Sequence, residues 1–422
     1  MYAPARSILL VNRVFPPDVG ATGRRLADLA ERLAAAGWRV TVLADGSGEG
    51  NSNGPGDPLP GVTVLRSGGA VPRRGPPDGR AYAGALARLL WRGLTLPRHD
   101  VIVTMTDPPL LAVVGPILAL RHRAATVHWC HDLYPALLPL FGLHVPGVMM
   151  RLTEAAAALA LRRCGLVVAI GRCMAERITA LGVPRRRLAV LPNWADPAIR
   201  PVPRVENGLR TALGLGDGSC DGLVVAYSGN FGLAHPMGAL LDAAEELERT
   251  APAVTFLLIG EGRGHAAVAR AAAARGLGNL RFLPFQPEER LAESLSCADL
   301  HLATLEAGAE GLMVPSKVMG ALAAGRPCLF LGPSGSEAAR LLTEGGCGRV
   351  LAPDDGAGLA AAIRHYAADP ALLAEQGRRA LDAASCWNAD LAAGHFARLL
   401  DALPARRRPW VRHLACGEVP HA

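Results

Sequence analysis

A strand–loop–helix–strand pattern that occurs twice constrains the fold of this chain more than any other feature. Residues 7–43 and residues 223–259 each contain a β-rich apolar run, a loop with glycines, a helix with apolar periodicity and a second apolar strand. This order is the βαβ opening of a doubly wound parallel sheet. The repetition predicts an α/β chain of two Rossmann-like domains, and we expect the carboxyl edges of their sheets to face each other across a cleft.

The remaining strands and the domain boundaries follow from similar patterns. Further apolar runs of strand-like composition occupy residues 62–65, 100–105, 125–130, 166–170, 188–191, 280–283, 298–303 and 328–331. Residues 197–208 are rich in proline and lack periodicity, which is typical of a linker. We therefore expect an N-terminal domain over residues 1–196 and a C-terminal domain over residues 209–386. A last helix, within residues 387–422, is expected to pack back on the N-terminal domain.

Composition and charge narrow the class of protein. The 422-residue chain has a net charge of +7, and nearly all of its positive charge is arginine, which suits contact with phosphate or anionic head groups. A codon bias towards arginine and alanine explains the same composition. The nine cysteines form no Cys-x-x-Cys pair and no residue cluster has metal-ligand spacing, so we expect a reducing compartment and no metal site. No signal peptide or clean spanning segment is visible, and a cytoplasmic protein is expected.

The stretch 306–327 is the most informative single segment. Ser316 is expected to be the N-cap of a short helix that carries Lys317 and ends at Gly325 in the left-handed conformation. A helix N-terminus with a lysine suits an anion such as a phosphate. The carboxylate of Glu310, in the preceding loop, can accept hydrogen bonds from sugar hydroxyls. The segment predicts half of a nucleotide-sugar site, or else an ordinary capped helix of an α/β domain.

Other candidate residues follow predicted strands. His131 and Asp132 come directly after the strand 125–130, where a histidine can bind a substrate hydroxyl or transfer a proton. The alternative is a structural histidine beside an aspartate that caps a helix. Gly260 opens a Gly-Glu-Gly turn at another strand end, and its spacing matches neither common phosphate-binding loop. No Gly-x-Ser-x-Gly nucleophile motif occurs.

Two apolar segments lie near arginine clusters, at residues 108–120 and 133–150. Such segments either dip into a membrane interface or pack in the core of a domain. The sequence leaves both interpretations open, and core packing is the commoner of the two.

Eight short motifs follow one another along the chain. They are Phe15-Pro-Pro-Asp-Val-Gly20, His131-Asp-Leu-Tyr-Pro135, Leu191-Pro-Asn-Trp194, Tyr227-Ser-Gly-Asn-Phe-Gly232, Leu258-Ile-Gly-Glu-Gly262, residues 279–285, Ala298-Asp299 and Val314-Pro-Ser-Lys317. In this order they resemble the retaining glycosyltransferases of the GT4 family, which have the GT-B fold. The resemblance covers almost the whole chain and is strongest to the bacterial N-acetylfucosamine-transferase-like subgroup, which takes part in cell-surface polysaccharide assembly. It implies an N-terminal acceptor domain and a C-terminal donor-nucleotide domain.

The resemblance also implies roles for individual residues. His131 would contact the donor sugar, Glu310 would hold sugar hydroxyls, and Lys317 would bind the diphosphate as it leaves; these are the expected catalytic residues. The expected donor-binding residues are Gly20, Asp132, Ser228, Gly229, Asn230, Gly260, Phe285, Gln286, Val314, Pro315 and Ser316.

Two departures from the family's pattern change this assignment. Gly320 stands where a second carboxylate usually holds the ribose. The cations that usually follow the second glycine loop are replaced by Asn230 and by His235 or Met237. Lys317 is therefore expected to take over the missing positive charge.

The resemblance implies a metal-independent enzyme without a cofactor. It would transfer a sugar, such as an N-acetylamino sugar, from a uridine-linked nucleotide donor to a polysaccharide precursor or a lipid-linked acceptor at the inner membrane face. Three alternatives stay open: a glycosyltransferase of secondary metabolism, a sugar-nucleotide epimerase of the same fold, and a non-catalytic protein that binds polyanions or membranes. Nucleic acid is not an expected partner, because the arginines are not interleaved with aromatic residues.

Overall fold

The computed structural model describes residues 6–18, 20–46, 59–69, 79–143, 145–216 and 222–404. The last part of the predicted terminal helix, residues 405–422, lies outside these described residues.

The N-terminal half forms a parallel sheet with helices on both faces. Its strands are β1 (Ser7–Val11), β2 (Arg39–Ala44), β3 (Val62–Arg66), β4 (Val101–Thr104), β5 (Ala125–Cys130), β6 (Leu166–Ala169) and β7 (Leu188–Val190). Within the described ranges they lie in the order β3-β2-β1-β4-β5-β6-β7. Its helices are α1 (Ala21–Ala35), α2 (Gly79–Thr95), α3 (Val114–His122), α4 (Gly147–Arg163) and α5 (Arg172–Ala180). Because helices cover both faces, strands such as β1, β4 and β5 are buried along their whole length.

The C-terminal half repeats this architecture. Its helices are α6 (Gly208–Ala212), α7 (Gly238–Thr250), α8 (His265–Ala274), α9 (Leu291–Ser296), α10 (Lys317–Ala323), α11 (Glu337–Gly345), α12 (Gly356–Ala368) and α13 (Pro370–Ser385). Its strands are β8 (Val224–Ser228), β9 (Thr255–Ile259), β10 (Leu280–Leu283), β11 (Leu300–Thr304), β12 (Cys328–Leu331) and β13 (Gly348–Leu351). In the part of the chain that is described, their order is β10-β9-β8-β11-β12-β13. The predicted α/β fold with two Rossmann-like units is confirmed.

The segment between the two sheets is anchored on the C-terminal half. The guanidinium of Arg204 lies 2.7 Å from the carboxylate of Asp299, which also pairs with the fully buried Arg210. The backbone carbonyl of Val202 accepts a hydrogen bond from Arg326. Residues 202–208, predicted as part of a free linker, are therefore held against the second sheet, and α6 begins at Gly208 itself.

The last helix, α14 (Ala389–Asp401), lies on the N-terminal half. It packs against α1, where Arg32 pairs with Asp390 at 2.7 Å. Its Phe396 is fully buried, with its ring 5.3 Å from the ring of Trp129 in β5. The chain thus returns to its first domain after completing the second.

Direct contacts join the two halves beside the cleft. Asp132 and Met313 form an isolated antiparallel bridge, and the backbone N–H of Leu133 donates to the carbonyl of Leu312 at 2.7 Å. The carboxylate of Glu337 accepts the backbone N–H of Arg172 at the start of α5, at 2.5 Å. These contacts bring the end of β5 next to the loop that precedes α10, so the cleft is lined from both sides.

Candidate active site

Lys317 is the single lysine of a chain whose other strong bases are all arginine. It is the first residue of α10, and its ammonium lies 5.1 Å from the centre of the Tyr227 ring. Among the described residues it forms no ion pair and no side-chain hydrogen bond. Burial lowers the pKa of Lys317 to about 7. A half-buried amine without an anionic partner is a site prepared for an anion.

The helix around Lys317 differs from the sequence prediction in one respect. The hydroxyl of Ser316 caps no backbone N–H, because Ser316 itself has helical dihedral angles rather than the extended ones of an N-cap. The helix spans only seven residues, and Gly325 ends it with a φ of 67° as predicted. The positive charge of this site therefore comes from Lys317 more than from a helix dipole.

The glycine loops after β8 and β9 lie directly against Lys317. A Cβ atom at Gly229 would lie 2.8 Å from Cε of Lys317, and one at Gly260 would collide with the carbonyl oxygen of Gly229. Both residues have a φ of 135°, which favours glycine. The loops are tied together by a hydrogen bond from the N–H of Gly229 to the carbonyl of Ile259, at 2.9 Å. The backbone itself thus forms the wall opposite the lysine.

The other predicted donor-binding residues of this half border the same wall. Ser228 is the last residue of β8, and Asn230 follows Gly229 in the loop. Phe285 is 52% exposed, and its ring lies 3.3 Å from the Cβ position of Gly260. An exposed aromatic ring at the end of a strand offers a stacking surface for a planar base. The side-chain amide of Gln286 donates to the carbonyl of Pro284 at 3.0 Å, so this side chain lies along its own loop.

Glu310 directly follows the short turn Ala307–Ala309 that precedes α10. Its carboxylate rests against Gly335, where a Cβ atom would collide with it. Gly335 was not among the predicted site residues. The signal in the sequence is weak, because nothing local relates Gly335 to a glutamate 25 residues earlier.

His131 lies on the N-terminal wall, fully enclosed. Its Nδ1 is 3.5 Å from the amide nitrogen of Asn193, and its ring meets the edge of Trp129 at 4.6 Å. Nε2 of His131 and Oδ1 of Asn193 are buried and have no hydrogen-bond partner among the described residues. Burial lowers the pKa of His131 to about 3, so the imidazole is neutral at physiological pH. Asn193, three residues after the end of β7, was not among the predicted site residues.

Gly20 and the loop before α10 complete the two walls. Gly20 is extended, and a Cβ atom there would press on Val14. Arg24, in the first turn of α1, reaches across to Glu288 at 3.2 Å. The three predicted donor-binding residues before Lys317 line a small cavity together with Asn193 of the opposite wall; they are Val314, Pro315 and Ser316.

Asp132 follows β5 on the N-terminal wall. Burial, followed by the negative charge of Asp107, raises the pKa of Asp132 to about 7. Asp107 follows β4 and belongs to the N-terminal sheet edge. The structure thus brings Asp132 together with N-terminal residues, whereas Gly229, Gly260 and Phe285 gather around Lys317.

Comparisons with known proteins identify the family of this chain. Residues 20–194 match the family model of the Glycosyl transferase 4-like domain, and residues 222–369 match that of the Glycosyl transferases group 1. The two matches together cover more than half of the chain, in this order. The chain belongs to the GT4-type glycosyltransferases.

Two curated relatives share part of this GT4-type sequence. WcaI of Escherichia coli K12, a glycosyl transferase named for colanic acid biosynthesis, is 30% identical over 53% of this chain and 56% of its own length. WbjE of Pseudomonas aeruginosa, named as a glycosyltransferase, is 29% identical over 63% of this chain and 66% of its own length. The matches span less than two thirds of either relative.

Solved structures extend the likeness to the whole fold. The complex of Anabaena Alr3699/HepE with UDP has a TM-score of 0.72 at 20% identity and covers 94% of this chain and 100% of that one. The sucrose-phosphate synthase of Thermosynechococcus elongatus has a TM-score of 0.73 at 18% identity, over 94% and 99%. This GT4-type chain therefore has the GT-B fold.

The structure shows the surroundings of two positions at which this GT4-type glycosyltransferase departs from the family's pattern, Gly320 and His235. A Cβ atom at Gly320 would point at Leu295 and Ile199, 3.3 and 3.9 Å away, so a carboxylate there would enter an apolar contact. His235 accompanies Lys317: its Nδ1 lies 2.6 Å from the carbonyl of Thr304, and burial, followed by the charge of Lys317, lowers its pKa to about 3. Gly320 thus does not face the cleft, and the second basic group near the lysine is a neutral histidine.

Proposed function

We propose that this protein is a retaining glycosyltransferase that uses a uridine-linked nucleotide sugar and acts in the assembly of a polysaccharide precursor or a lipid-linked saccharide. An N-acetylamino sugar is the donor that the subgroup resemblance favours. The presence of UDP in the HepE complex and the naming of WcaI for colanic acid biosynthesis support the donor and the pathway class.

The observation that carries the proposal is the surroundings of Lys317. The chain places its one lysine against two glycine loops that have no space for a side chain between them and the lysine, and an exposed aromatic ring stands at the end of the same wall. A diphosphate beside the ammonium, with a uracil on Phe285, satisfies each of these features. His131, on the other wall, has a free Nε2 for a hydroxyl of the donor sugar.

The proposed reaction needs no cofactor and no metal. The bond between the anomeric carbon and the diphosphate oxygen breaks, and a bond from the same carbon to the acceptor oxygen forms on the same face of the sugar. The acceptor's hydroxyl proton passes to the departing diphosphate. Lys317 lowers the barrier because its positive charge meets the negative charge that develops on the leaving oxygen.

A panel of sugar nucleotides tests this function. Calorimetry with UDP, ADP and GDP is expected to show binding of UDP in preference to the other two, with no effect of a chelator. Release of UDP from UDP-sugars should follow when an acceptor is added, and NMR of the product should show a retained anomeric configuration. The absence of binding by all three nucleotides would refute the proposal, and conversion of the donor to an epimer without any acceptor would favour the epimerase alternative.

We further propose a peripheral contact with the inner face of the cytoplasmic membrane. The surface concerned is the outer side of α2, α3 and α4, and α3 contacts both of its neighbours. Its exposed apolar side chains include Trp91, Leu120, Val148, Met149 and Leu152. The three helices carry several arginines and a single acidic residue, Glu154. Apolar side chains among arginines fit an anionic bilayer surface.

The two apolar segments of the sequence contribute to this surface differently. In the segment 108–120, Leu111 and Leu118 are buried in the core, whereas Leu120 is 74% exposed. The segment 133–150 begins with the buried Leu133 and ends on the exposed face of α4. The structure therefore shows core packing for the buried side chains, and the proposed membrane contact concerns the exposed ones. Within the described residues, no helix has the length and hydropathy that are needed to cross a bilayer.

The triple variant Leu120→Gln, Val148→Gln and Leu152→Gln is expected to lower binding to vesicles containing phosphatidylglycerol by about tenfold or more, because three exposed apolar side chains leave the interface. Co-sedimentation with anionic and with neutral vesicles measures the effect. Val205→Gln is the control, since Val205 is as exposed as Val148 but lies in the segment between the domains. Equal binding of the triple variant and the wild type would contradict the contact.

A further inference from the structure

Three neighbouring strands of the N-terminal sheet are each followed by a charged residue, and these three residues lie at the same sheet edge. Arg13 follows β1, Asp107 follows β4 and Asp132 follows β5, and these strands are adjacent in the order β1-β4-β5. The guanidinium of Arg13 and the carboxylate of Asp107 form two parallel contacts, Nε to Oδ1 at 2.7 Å and Nη2 to Oδ2 at 2.9 Å. The sheet edge that faces the cleft therefore carries a fixed ion pair with a second carboxylate beside it.

Two tyrosines flank this group. The guanidinium of Arg13 lies 5.4 Å from the centre of the Tyr82 ring. Tyr134 follows Asp132 by two residues, and burial and the charge of Asp132 raise the pKa of its phenol. Tyrosine rings offer an apolar face for the C–H side of a sugar ring and a hydroxyl for its polar rim.

Polar groups in the same place have no protein partner. The carboxylate of Asp132 makes no ion pair and no hydrogen bond with a described residue. The hydroxyl of Thr106 is also without a partner, although Thr106 is only 4% exposed. Thr106, Asp132 and Tyr134 line one small cavity of about 20 Å³ together with apolar side chains such as Leu110 and Leu133, and the cavity has room for a water molecule or a single hydroxyl group. Buried polar groups without partners are costly unless a ligand or water completes them.

We propose that Asp132, Thr106, Tyr134, Tyr82 and the Arg13–Asp107 pair form an acceptor subsite for a neutral sugar. The proposal rests on the transferase function above and deepens it by naming the class of acceptor. The hydroxyl groups of the acceptor complete the hydrogen bonds of Asp132 and Thr106. Asp132 thus belongs to the acceptor, rather than to the donor nucleotide.

Charge decides between a neutral and an anionic acceptor group. The described arginines that contact this group or its neighbouring strand ends are already paired: Arg13 with Asp107, Arg66 with Asp18 at 2.8 Å, and Arg88 with Asp45 at 2.7 Å. Arg80, in the first turn of α2, is exposed, and no cation is among the groups that shift the pKa of Asp132. Within the described residues, a phosphate would therefore meet no unpaired cation beside Asp132, in contrast to the lysine pocket across the cleft.

Burial of polar groups decides between a sugar and an apolar aglycone. A flat apolar molecule would leave the carboxylate of Asp132 and the hydroxyl of Thr106 unpaired, and sites built to bind hydroxyls discriminate strongly against molecules that lack them. The acceptor therefore already bears a sugar. A sugar-phosphate transferase or another glycosyltransferase has to act first, and this enzyme extends its product.

Saturation-transfer NMR in the presence of UDP tests the subsite with defined probes. The probes are methyl glycosides of glucose, galactose, fucose and N-acetylglucosamine, glucose 6-phosphate as the anionic match of glucose, and 4-methylumbelliferone as an apolar aglycone. At least one methyl glycoside is expected to bind, in preference to the phosphate and the aglycone. Stronger binding of either of these, or binding of no methyl glycoside, would overturn the proposal.

Asp132→Asn tests the role of the carboxylate, and calorimetry with UDP checks the fold of the variant. Glycoside affinity is expected to fall by about 10- to 100-fold, the range for lost hydrogen bonds to a charged group. The matched control is Asp100→Asn: Asp100 accepts two hydrogen bonds from Ser7 at the opposite end of the same sheet. Unchanged glycoside affinity in Asp132→Asn, or a parallel loss of UDP binding, would overturn the assignment. If wild-type protein binds no nucleotide at all, the transferase function fails instead.

Discussion

Replacement of Lys317 by alanine is expected to lower the turnover number of sugar transfer by about 10²- to 10³-fold, the usual cost of removing one group that stabilises developing charge. The chain has no second lysine to take over, and the nearby His235 is neutral because burial and Lys317 lower its pKa to about 3. Initial rates of UDP release with saturating donor measure the effect. Circular dichroism and the melting temperature check that the variant is folded.

Lys317→Arg separates charge from the properties of an amine. Arginine keeps its proton under all conditions, whereas the pKa of Lys317 is lowered to about 7 by burial. The longer planar side chain also has little room next to Gly229. We therefore expect Lys317→Arg to restore only part of the activity. Full activity of Lys317→Ala would remove this residue from the mechanism.

The same lysine gives donor binding a specific dependence on pH. Below pH 7 the free enzyme already carries the ammonium that is proposed to pair with the diphosphate, so the affinity for UDP-glucose is expected to be at its highest. As the pH rises above about 7, binding has to take up a proton, and the affinity is expected to fall by up to tenfold per unit until the pKa of the complex is reached. UDP-glucose is the suitable probe, because its diphosphate does not itself titrate near neutral pH.

A single lysine also makes this titration directly observable. Reductive methylation with ¹³C-formaldehyde labels Lys317 and the terminal amine alone, since the chain has no other lysine. The chemical shift of the lysine signal should titrate near pH 7 in the free enzyme and at higher pH with UDP bound. An unchanged titration on addition of UDP would mean that the diphosphate does not contact this amine.

Asp299→Ala is expected to lower the free energy of unfolding by about 3–5 kcal/mol, the cost of leaving a buried charge without its partner. Asp299 is fully buried and accepts from Arg210, which is buried as well, from Arg204 and from the backbone N–H of Val224 at 2.9 Å. Urea denaturation followed by circular dichroism measures the loss. Because Arg204 lies between the domains, looser domain association should accompany it.

Asp242→Ala is the matched control for this experiment. Asp242 pairs with Arg275 in the same half of the molecule, but both side chains of that pair are exposed, so a small change is expected. Similar stability of the Asp299 and Asp242 variants would show that the buried cluster is not a determinant of stability.

Much of the fold could be predicted because parallel strands leave a local signal. Strands buried on both faces are continuous apolar runs, and the predicted strands lie within two residues of those observed, as β5 at residues 125–130 shows. The edge strand β13 has no such signal, because its residues 348–351 are only partly buried. The order of the strands then follows from the βαβ pattern.

From the sequence, the candidate site could be predicted only as a set of residues that follow strands. Lys317 and the glycines at 229 and 260 were identified from local motifs, and the structure gathers them. The Ser316 cap was wrong, because Ser316 has helical dihedral angles and its hydroxyl caps no backbone N–H. Asn193 and Gly335 were missed, since each matters through a residue distant in sequence, His131 and Glu310.

The sequence by itself determined the α/β architecture and the repeated domains, because apolar periodicity and turn residues are local properties. Eight short motifs in order carried the resemblance to the family. Only the tertiary structure decided on which side of the cleft each site residue lies. It moved Asp132 to a group with Arg13 and Asp107, turned Gly320 away from the cleft, and set Lys317 over Tyr227 without a counter-ion. Pairing, burial and pKa depend on neighbours that are tens to hundreds of residues apart, so packing alone creates them.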